Sequence, residues 1–318
     1  MDDKSTMSKI LVIDSHKSSN NQPADNLHWQ NARLIADMLG ADLIWSYPTV
    51  NDNIVGGYEA IVFVHASPYA YTDYAWLQAS PDAKLFYVTN EYNLGEPRTL
   101  WMAAKDGRRY TVLANHPAAI SKVVKKYVDD WVILNLNALV FGNYTFQNDG
   151  DPMSCVYYGS FRKDRAPYFQ KYLNDVTLST HAKNVPKFAA LGVTPNAVKR
   201  LNIQKGDLAR YEYSLYIEDT ITHLNYNFLA NRFYEALNSG TVPLFDKSCE
   251  RTLQLSGYAD HIRDWQIIDD VSDLLEQISY TPEPNPTLLE FAAAEKREVI
   301  EKIHALVTPV TDLFGRAL

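Results

Sequence analysis

Short apolar runs alternate with amphipathic segments along the chain. Lys9–Asp14 is an apolar run that ends in an acid, and Trp29–Leu39 has apolar residues at helical spacing before Gly40. Strands that alternate with helices predict an open, parallel sheet. Further runs of strand length lie at Ala41–Trp45, Ala60–His65, Lys84–Thr89, Thr111–Ala114 and Trp131–Leu136.

The pattern starts again after a polar stretch of Asn, Gly and Asp at Asn143–Pro152, which we interpret as a linker. We therefore predict an α/β fold of two Rossmann-like domains, at 8–147 and 153–307, with the tail 308–318 packing on the first domain. The predicted strands of the second domain are Cys155–Tyr158, Val176–Ser179, Glu212–Ile217, Thr241–Phe245 and Trp265–Ile268, and its predicted helices include Ala166–Leu173 and Thr287–Val307.

The composition excludes several classes. With 318 residues, 46% of them hydrophobic, the chain is long and apolar enough to build two cores. A net charge of −8 gives no global attraction to nucleic acid, although a local basic patch remains compatible with it. Cys155 and Cys249 form no disulfide framework or zinc spacing, and no signal peptide or membrane span is evident. We expect a monomeric cytoplasmic protein without membrane contact.

Familiar catalytic motifs are missing from the sequence. It contains no G-x-x-x-x-G-K-[ST], no G-x-G-x-x-G, no H-E-x-x-H and no G-x-S-x-G. Their absence weighs against a kinase, a dehydrogenase, a metalloprotease and a serine hydrolase, and we expect no obligatory metal or cofactor.

The segment Tyr158–Arg165 suits a phosphate. Open α/β sheets bind ligands beyond the carboxyl ends of their strands, and this segment follows a predicted strand. Glycine allows close backbone approach, and cations neutralise a diphosphate whose charge grows as a sugar departs. A solvated basic turn explains the same residues. The candidates for donor binding here are Gly159, Ser160, Arg162, Lys163 and Arg165.

The helix before Gly240 carries a polar stripe. Asn227, Asn231, Glu235 and Asn238 share one face, and the apolar strand Thr241–Phe245 follows at once. We expect the helix to pack on the sheet with its C-terminal end near the cleft, where Glu235 can accept both hydroxyls of a ribose. Asn231 lies one turn earlier on the same face. A solvent-facing stripe is the alternative.

Other charged residues also follow predicted strands. Glu218, Asp219 and His223 come after one strand and could hold the sugar or an edge of the nucleobase, although a structural role for His223 alone is favoured over a functional one. Transfer of a sugar to a hydroxyl needs a general base if the anomeric centre is inverted. For this role we consider four residues of the first domain, Asp14, His16, His65 and Glu91. Asp14 and Glu91 are the preferred catalytic candidates.

Two stretches of the second half resemble a known enzyme class. The run Tyr157–Arg165, and the run Leu215–Asp219 with Asn231–Phe245, are similar to bacteriophage glycosyltransferases of the GT-B type. This resemblance implies two facing Rossmann-like domains, with the C-terminal helix crossing back to the first domain. The resemblance implies that Glu235 binds the donor ribose and that Arg162, with Lys163 or Arg165, binds the diphosphate of a UDP-sugar. Many retaining relatives carry an acid seven residues before the glutamate, where this chain has Phe228, so a retaining mechanism is not supported.

Within that group, the resemblance is greatest to phage enzymes that modify hydroxymethylated pyrimidines in DNA. It implies an acceptor in double-stranded DNA and a location in the host cytoplasm. The first domain is expected to supply the DNA groove through its basic residues, although a solvated surface explains them equally well. These residues are Lys105, Arg108, Arg109, Lys122, Lys125 and Lys126.

Two other functions remain open from the sequence. The acceptor hydroxyl can belong to a surface glycan or a small molecule, or the protein can bind nucleotide sugars without turnover. Incorporation of labelled sugar into hydroxymethylated DNA separates these hypotheses.

Overall fold

The computed structural model describes residues 9–14, 27–45, 56–64, 77–89, 107–115, 128–219, 223 and 227–308. Two compact units make up the chain. Unit 1 consists of Met1–Leu139 with Lys296–Leu318, and unit 2 of Val140–Glu295.

The described part of unit 1 contains a parallel sheet of six strands in the order β2-β1-β3-β4-β5-β6. Because β1 connects outward to β2 while the chain continues from β3 to β6 on the other side, the order reverses between β1 and β3. The strands are β1 Ile10–Asp14, β2 Asp42–Trp45, β3 Ala60–Val64, β4 Lys84–Thr89, β5 Tyr110–Ala114 and β6 Val128–Ile133.

In β1 and β3 every residue is buried, as expected for parallel strands that are covered on both faces. Strand β5, Tyr110–Ala114, is buried at four of its five positions. These apolar runs form strands because an unbroken series of β-branched and aromatic residues suits a sheet covered by helices on both sides.

The described part of unit 2 contains a second parallel sheet of six strands, in the order β12-β11-β10-β7-β8-β9. Its order reverses between β7 and β10, and open α/β sheets bind ligands beside the loops that follow the strands at such a reversal. The strands are β7 Asp151–Tyr158, β8 Thr177–Thr180, β9 Asn196–Lys199, β10 Tyr211–Tyr216, β11 Val242–Asp246 and β12 Ile267–Ile268.

Seven α-helices have bounds within the described residues, and none of these is long and apolar enough to cross a membrane. They are α1 Leu27–Leu39, α2 Ala166–Tyr172, α3 Val185–Ala189, α4 Asn231–Asn238, α5 Glu250–Leu255, α6 Val271–Gln277 and α7 Pro286–Val307.

Helix α1 illustrates how the sequence pattern becomes structure. Ala32 and Ala36 are buried one turn apart, while Arg33 and Asp37 on the exposed side approach to 3.8 Å. The helix is followed by Gly40 with φ of 59°, a left-handed conformation that glycine adopts without steric cost. The predicted stop of this helix at Gly40 is confirmed.

The two faces of the second sheet pack against different helices. Successive side chains of a strand point to opposite faces of the sheet. Tyr157 packs with Phe169 of α2 on one face, and their ring centroids are 5.5 Å apart. Val156 packs with Ala236 of α4 on the other side, where Tyr158 also lies against this cluster. Helix α4 and Tyr158 are thereby brought to the same face.

The predicted fold class is confirmed by the two parallel sheets with their helices, and by the last part of α7, since the chain from Lys296 belongs to unit 1. Two details differ. Strand β9 was not predicted, because Asn196–Lys199 is a largely exposed edge strand without apolar alternation. The predicted helix around Asn227 was wrong, since α4 begins at Asn231 and residues 227–230 have no helical structure.

Candidate functional site at the carboxyl edge of the second sheet

The loop after β7 divides into an exposed part and a buried part. Ser160, Arg162 and Lys163 are exposed, whereas Arg165 is buried. The backbone of Gly159 continues the sheet pairing, because its N–H donates to Ser179 O at 3.1 Å. The exposed cations of this loop therefore remain accessible to a ligand.

Arg165, in the loop after β7, contacts the loop after β10. Its Nη2 lies 2.6 Å from Oε2 of Glu218 and 3.1 Å from Oδ2 of Asp219. The side chain of Glu218 is 2% exposed, so this is a buried ion pair. The pair joins the two loops at the point where the strand order reverses.

A second arginine, Arg232 of α4, completes this ion cluster. Its Nε lies 3.4 Å from Oε1 of Glu218, and its Nη1 donates to the carbonyl of Ile217 at 3.0 Å. Two arginines and the carboxylates of Glu218 and Asp219 therefore neutralise one another. Sequence reasoning missed Arg232, although it lies three residues before Glu235 on the same helical face, which is a readable signal.

Helix α4 places its N-terminal end at the carboxyl edge. Arg232 contacts the end of β10 as described, and the N–H of Ala230 donates to Oη of Tyr216 at 2.7 Å. At the other end, Asn238 accepts from the N–H of Gly142 and donates to Val140 O, both before β7 begins. The prediction that the C-terminal end of this helix lies near the carboxyl edge was wrong, because a helix that leads into a parallel strand must end at that strand's amino edge.

Glu235 is half-buried on α4 and is held by a phenol. Tyr158, the last residue of β7, donates from Oη to Oε2 of Glu235 at 3.0 Å and to Arg232 O at 2.9 Å. Burial raises the pKa of Glu235, while the hydrogen bond from Tyr158 and the charges of Arg232 and Arg200 oppose the rise. The structure thus brings Glu235 next to the strand that leads into the exposed cations.

Asn231 and His223 lie near this network. Asn231 begins α4, and among the described residues its buried Oδ1 has no hydrogen-bond partner. The ring of His223 lies 3.4 Å from the hydroxyls of both Thr252 and Ser248. Burial lowers the pKa of His223, although Glu218 and Asp219 oppose this, so its surroundings favour the neutral ring.

The candidate bases belong to unit 1. Asp14 ends β1 and is paired in register with Trp45 and Val64, at the reversal of strand order in the first sheet. It is fully buried. Glu91, His16 and His65 lie outside the described residues, as do Lys105, Lys122, Lys125 and Lys126.

The opposite, amino edge of the second sheet holds a cavity of about 410 Å³, lined in part by Trp265, Leu288 and Glu212. The sequence also contains one Asp-x-Asp triplet, at 149–151, which lies at this edge as β7 begins. Among the described residues no group of three or more His, Cys, Asp or Glu side chains is placed to hold a metal. Ligand sites of open α/β sheets lie at the carboxyl edge, so we regard that edge as the candidate site.

Over most of the chain, the fold is similar to that of a solved protein, T4 phage BGT. The structure of T4 phage BGT with its UDP-glucose substrate has a TM-score of 0.60 at 14% identity, covering 94% of each chain. The structure of T4 phage BGT in complex with UDP and Mn²⁺ has a TM-score of 0.57 at 13% identity, covering 93% of this chain and 95% of that one.

A third structure is that of the DNA modifying enzyme beta-glucosyltransferase in the presence and absence of its substrate uridine diphosphoglucose. It has a TM-score of 0.59 at 14% identity, covering 94% of each chain. No family model matches the chain. No curated protein matches it either. The predicted resemblance to phage enzymes of the GT-B type is confirmed at the level of the fold.

Proposed function

We propose that the protein is a glycosyltransferase that moves a sugar from a UDP-sugar to a hydroxyl of a 5-hydroxymethylated pyrimidine in DNA. The observation that carries the proposal is Glu235, held by Tyr158 at the end of the strand that leads into exposed cations. The fold likeness supports it, since solved proteins of this fold are described with UDP-glucose or UDP and as a DNA modifying enzyme.

Glu235 is proposed to bind the donor ribose. One carboxylate oxygen accepts from Tyr158, which leaves acceptor capacity on the other oxygen for two vicinal hydroxyls. A carboxylate that is half-buried forms stronger hydrogen bonds than one in bulk water, because the local dielectric constant is lower. Asn231, one turn earlier, offers an amide to the same ligand.

The diphosphate is proposed to lie on the loop after β7. Arg162 and Lys163 are exposed there, and Ser160 adds a hydroxyl beside Gly159. Such cations stabilise the negative charge that grows on the departing UDP in the transition state. Arg165 shares its charge with Glu218 and Asp219, so its proposed part is to shape the floor of the crevice as much as to attract phosphate.

His223 and Asp219 are proposed to contact the sugar or an edge of the nucleobase, and Glu218 is proposed to act through Arg165 and Arg232, which face its two carboxylate oxygens. A neutral imidazole both donates and accepts one hydrogen bond, which suits a sugar hydroxyl. Asp14 and Glu91 stay our proposed general bases for the acceptor hydroxyl, and the UDP-sugar is the proposed co-substrate, with no further cofactor required.

Sugar transfer tests the proposal directly. The full chain is incubated with labelled UDP-glucose and duplexes that differ only in carrying cytosine or 5-hydroxymethylcytosine, and the label in DNA is counted. We expect incorporation only into the hydroxymethylated duplex, with a loss of at least about tenfold in Glu235→Gln. Incorporation of label into a glycan alone would show that the acceptor is a glycan and not DNA. Calorimetric binding of UDP-glucose without any transfer would favour a binding module.

A further inference from the structure

Exposed basic residues lie at the end of β9 and in the segments that follow β8 and β9, at the carboxyl edge of the second sheet. We call this group the basic rim, and it lies beside the proposed donor loop. It consists of Lys183, Lys187, Lys199 and Arg200, with His181 between them, and all five are exposed.

The fold places these residues together. Thr180 and Lys199, the last residues of β8 and β9, are paired in register, so the segments that follow leave the sheet side by side. His181 Nε2 lies 2.6 Å from Arg200 Nη1, which joins the two segments. On the other side, Lys187 Nζ lies 6.0 Å from the ring centroid of Phe161, next to Arg162. The basic rim is therefore continuous with the loop after β7.

The charge of the basic rim is not neutralised within the part of the chain that the structure describes. No carboxylate there forms an ion pair with its lysines or Arg200, whereas Lys171 and Lys247 on the other half of the edge are paired with Asp246 and Asp269. The carboxyl edge thus has a basic half beyond β7, β8 and β9 and a neutralised half beyond β11 and β12.

Of the six basic residues expected to supply the DNA groove in the first domain, the structure describes Arg108 and Arg109, and both bind groups of their own unit. Arg108 donates to the carbonyls of Leu77 and Ala83 at 2.8 and 2.6 Å. Arg109 pairs with Asp129 at 3.1 Å. These two arginines hold their own unit together, so they offer a polyanion less than the basic rim does.

We propose that the basic rim binds the phosphate backbone of the nucleic acid acceptor. Four exposed cations on neighbouring segments suit a ligand with closely spaced negative charges, and a chain of net charge −8 must concentrate its cations to attract one. The inference rests on the proposed function, and it adds that the acceptor is held by unit 2, next to the proposed donor loop. The contacts are to backbone phosphates and carry no sequence preference.

The test compares two triple variants of the full chain with equal charge change. Lys183→Gln, Lys187→Gln and Lys199→Gln remove three rim cations, and Arg200 is kept because its charge acts on Glu235. Lys84→Gln, Lys247→Gln and Lys302→Gln are the matched control, since all three lysines are exposed and none belongs to the rim. Thermal melts of both variants verify folding.

Binding to a fluorescent duplex with 5-hydroxymethylcytosine is measured by anisotropy between about 50 and 200 mM salt. We expect the rim variant to lose at least about tenfold in affinity at low salt, and its log–log salt slope to fall by roughly 2–3, at about 0.9 per phosphate contact. The control should stay within about twofold of the parent, and calorimetric affinity for UDP-glucose should be unchanged in both.

Equal DNA affinity of the rim variant and the control would overturn the inference. So would a parent protein that binds no duplex, or one that binds only anionic lipid vesicles. Salt-dependent binding through the rim without sugar transfer would retain the inference and reject the proposed function. Sugar transfer to DNA that is unchanged by the rim substitutions would support the proposed function and reject the inference about the rim.

Discussion

The guanidinium of Arg165 lies 2.6 Å from the buried carboxylate of Glu218, 53 residues later in the chain. Three residues earlier, Arg162 is exposed at the same edge. The two arginines of this loop therefore lie in different environments. Arg165 is inside the ion cluster, and Arg162 faces solvent.

Replacing these two arginines should separate stability from donor binding. Arg165→Ala leaves Glu218 and Asp219 with one fewer partner, and we expect a loss of about 3–5 kcal/mol in the free energy of unfolding. Arg162→Ala should change that free energy by less than about 0.5 kcal/mol while weakening UDP-sugar affinity. Urea melts and calorimetry measure the two quantities. Equal destabilisation by both substitutions would contradict the assignment.

Glu235→Gln should stabilise the fold at high pH and weaken the binding of the UDP-sugar. Because the folded-state pKa of Glu235 is raised by burial, its contribution to stability is lost as pH rises through that value. Gln removes the buried charge, so the melting temperature should rise at about pH 8 and change less at about pH 4. UDP-sugar affinity should fall about tenfold or more, as for a lost charge-assisted hydrogen bond. A lower melting temperature at the higher pH would indicate a structural carboxylate.

Tyr158→Phe tests how Glu235 is held. The substitution removes the hydrogen bond that lowers the pKa of Glu235, so that pKa should rise further. Donor affinity should then fall more steeply in the variant than in the parent as pH decreases, because protonation begins at higher pH. Calorimetry between about pH 5 and 8 measures this. Parallel profiles for parent and variant would show that the phenol does not act on Glu235.

Asp246 should contribute to stability in a pH-dependent way. It accepts from Tyr172 Oη at 2.6 Å, Lys171 Nζ at 3.0 Å and Ser248 N at 2.9 Å. Although burial opposes the shift, hydrogen bonds from Ser248 and Tyr172 lower the pKa of Asp246. A depressed carboxyl pKa gives stability that is present above the unfolded value, about 3.9, and is lost as pH falls through the folded value.

Asp246→Asn should therefore cost about 2–4 kcal/mol at pH 7, and the difference from the parent should shrink below about pH 4. Urea melts at both pH values measure it. Asp269→Asn, which breaks the exposed pair with Lys247, is the control and should have little effect at either pH. A cost for Asp246→Asn that does not depend on pH would reject the charge-based explanation.

His181 reports the charge of the basic rim. The slight burial of its ring and the charges of Arg200 and Lys183 lower its pKa. Arg200→Gln should raise that pKa, whereas Lys199→Gln should change it much less; NMR titration of the imidazole measures both. Binding of a duplex should raise the pKa in the parent, because phosphates favour the imidazolium. Equal effects of the two substitutions would argue against a local action of Arg200.

The sequence predicted the elements whose signal is local. An unbroken apolar run such as Ala60–Val64 indicates a buried strand from its own residues, and Gly40 ends its helix for a reason that one residue supplies. The exposed strand Asn196–Lys199 has no such signal, because it is held by pairing with Thr177–Thr180 and not by apolar residues of its own.

The candidate site depends on residues far apart in the chain. Nothing local to Arg165 indicates that it is buried, since its partners Glu218 and Asp219 lie 53 and 54 residues away. Tyr158 and Glu235 are 77 residues apart in the chain. They come into contact because α4 packs on the face of the sheet to which the Tyr158 side chain of β7 points. The sequence identified the charged residues beyond the strands, and the topology determines which of them neutralise each other.

Glu295, on α7, receives two phenols at once, from Tyr234 and Tyr258, each at 2.7 Å from Oε2. It is also the final residue of unit 2. A chain that ended before Glu295 would leave the hydroxyls of Tyr234 and Tyr258, which lie in an aromatic cluster, without this carboxylate as acceptor. Production of unit 2 by itself therefore requires a polypeptide that extends at least one turn of helix past Glu295.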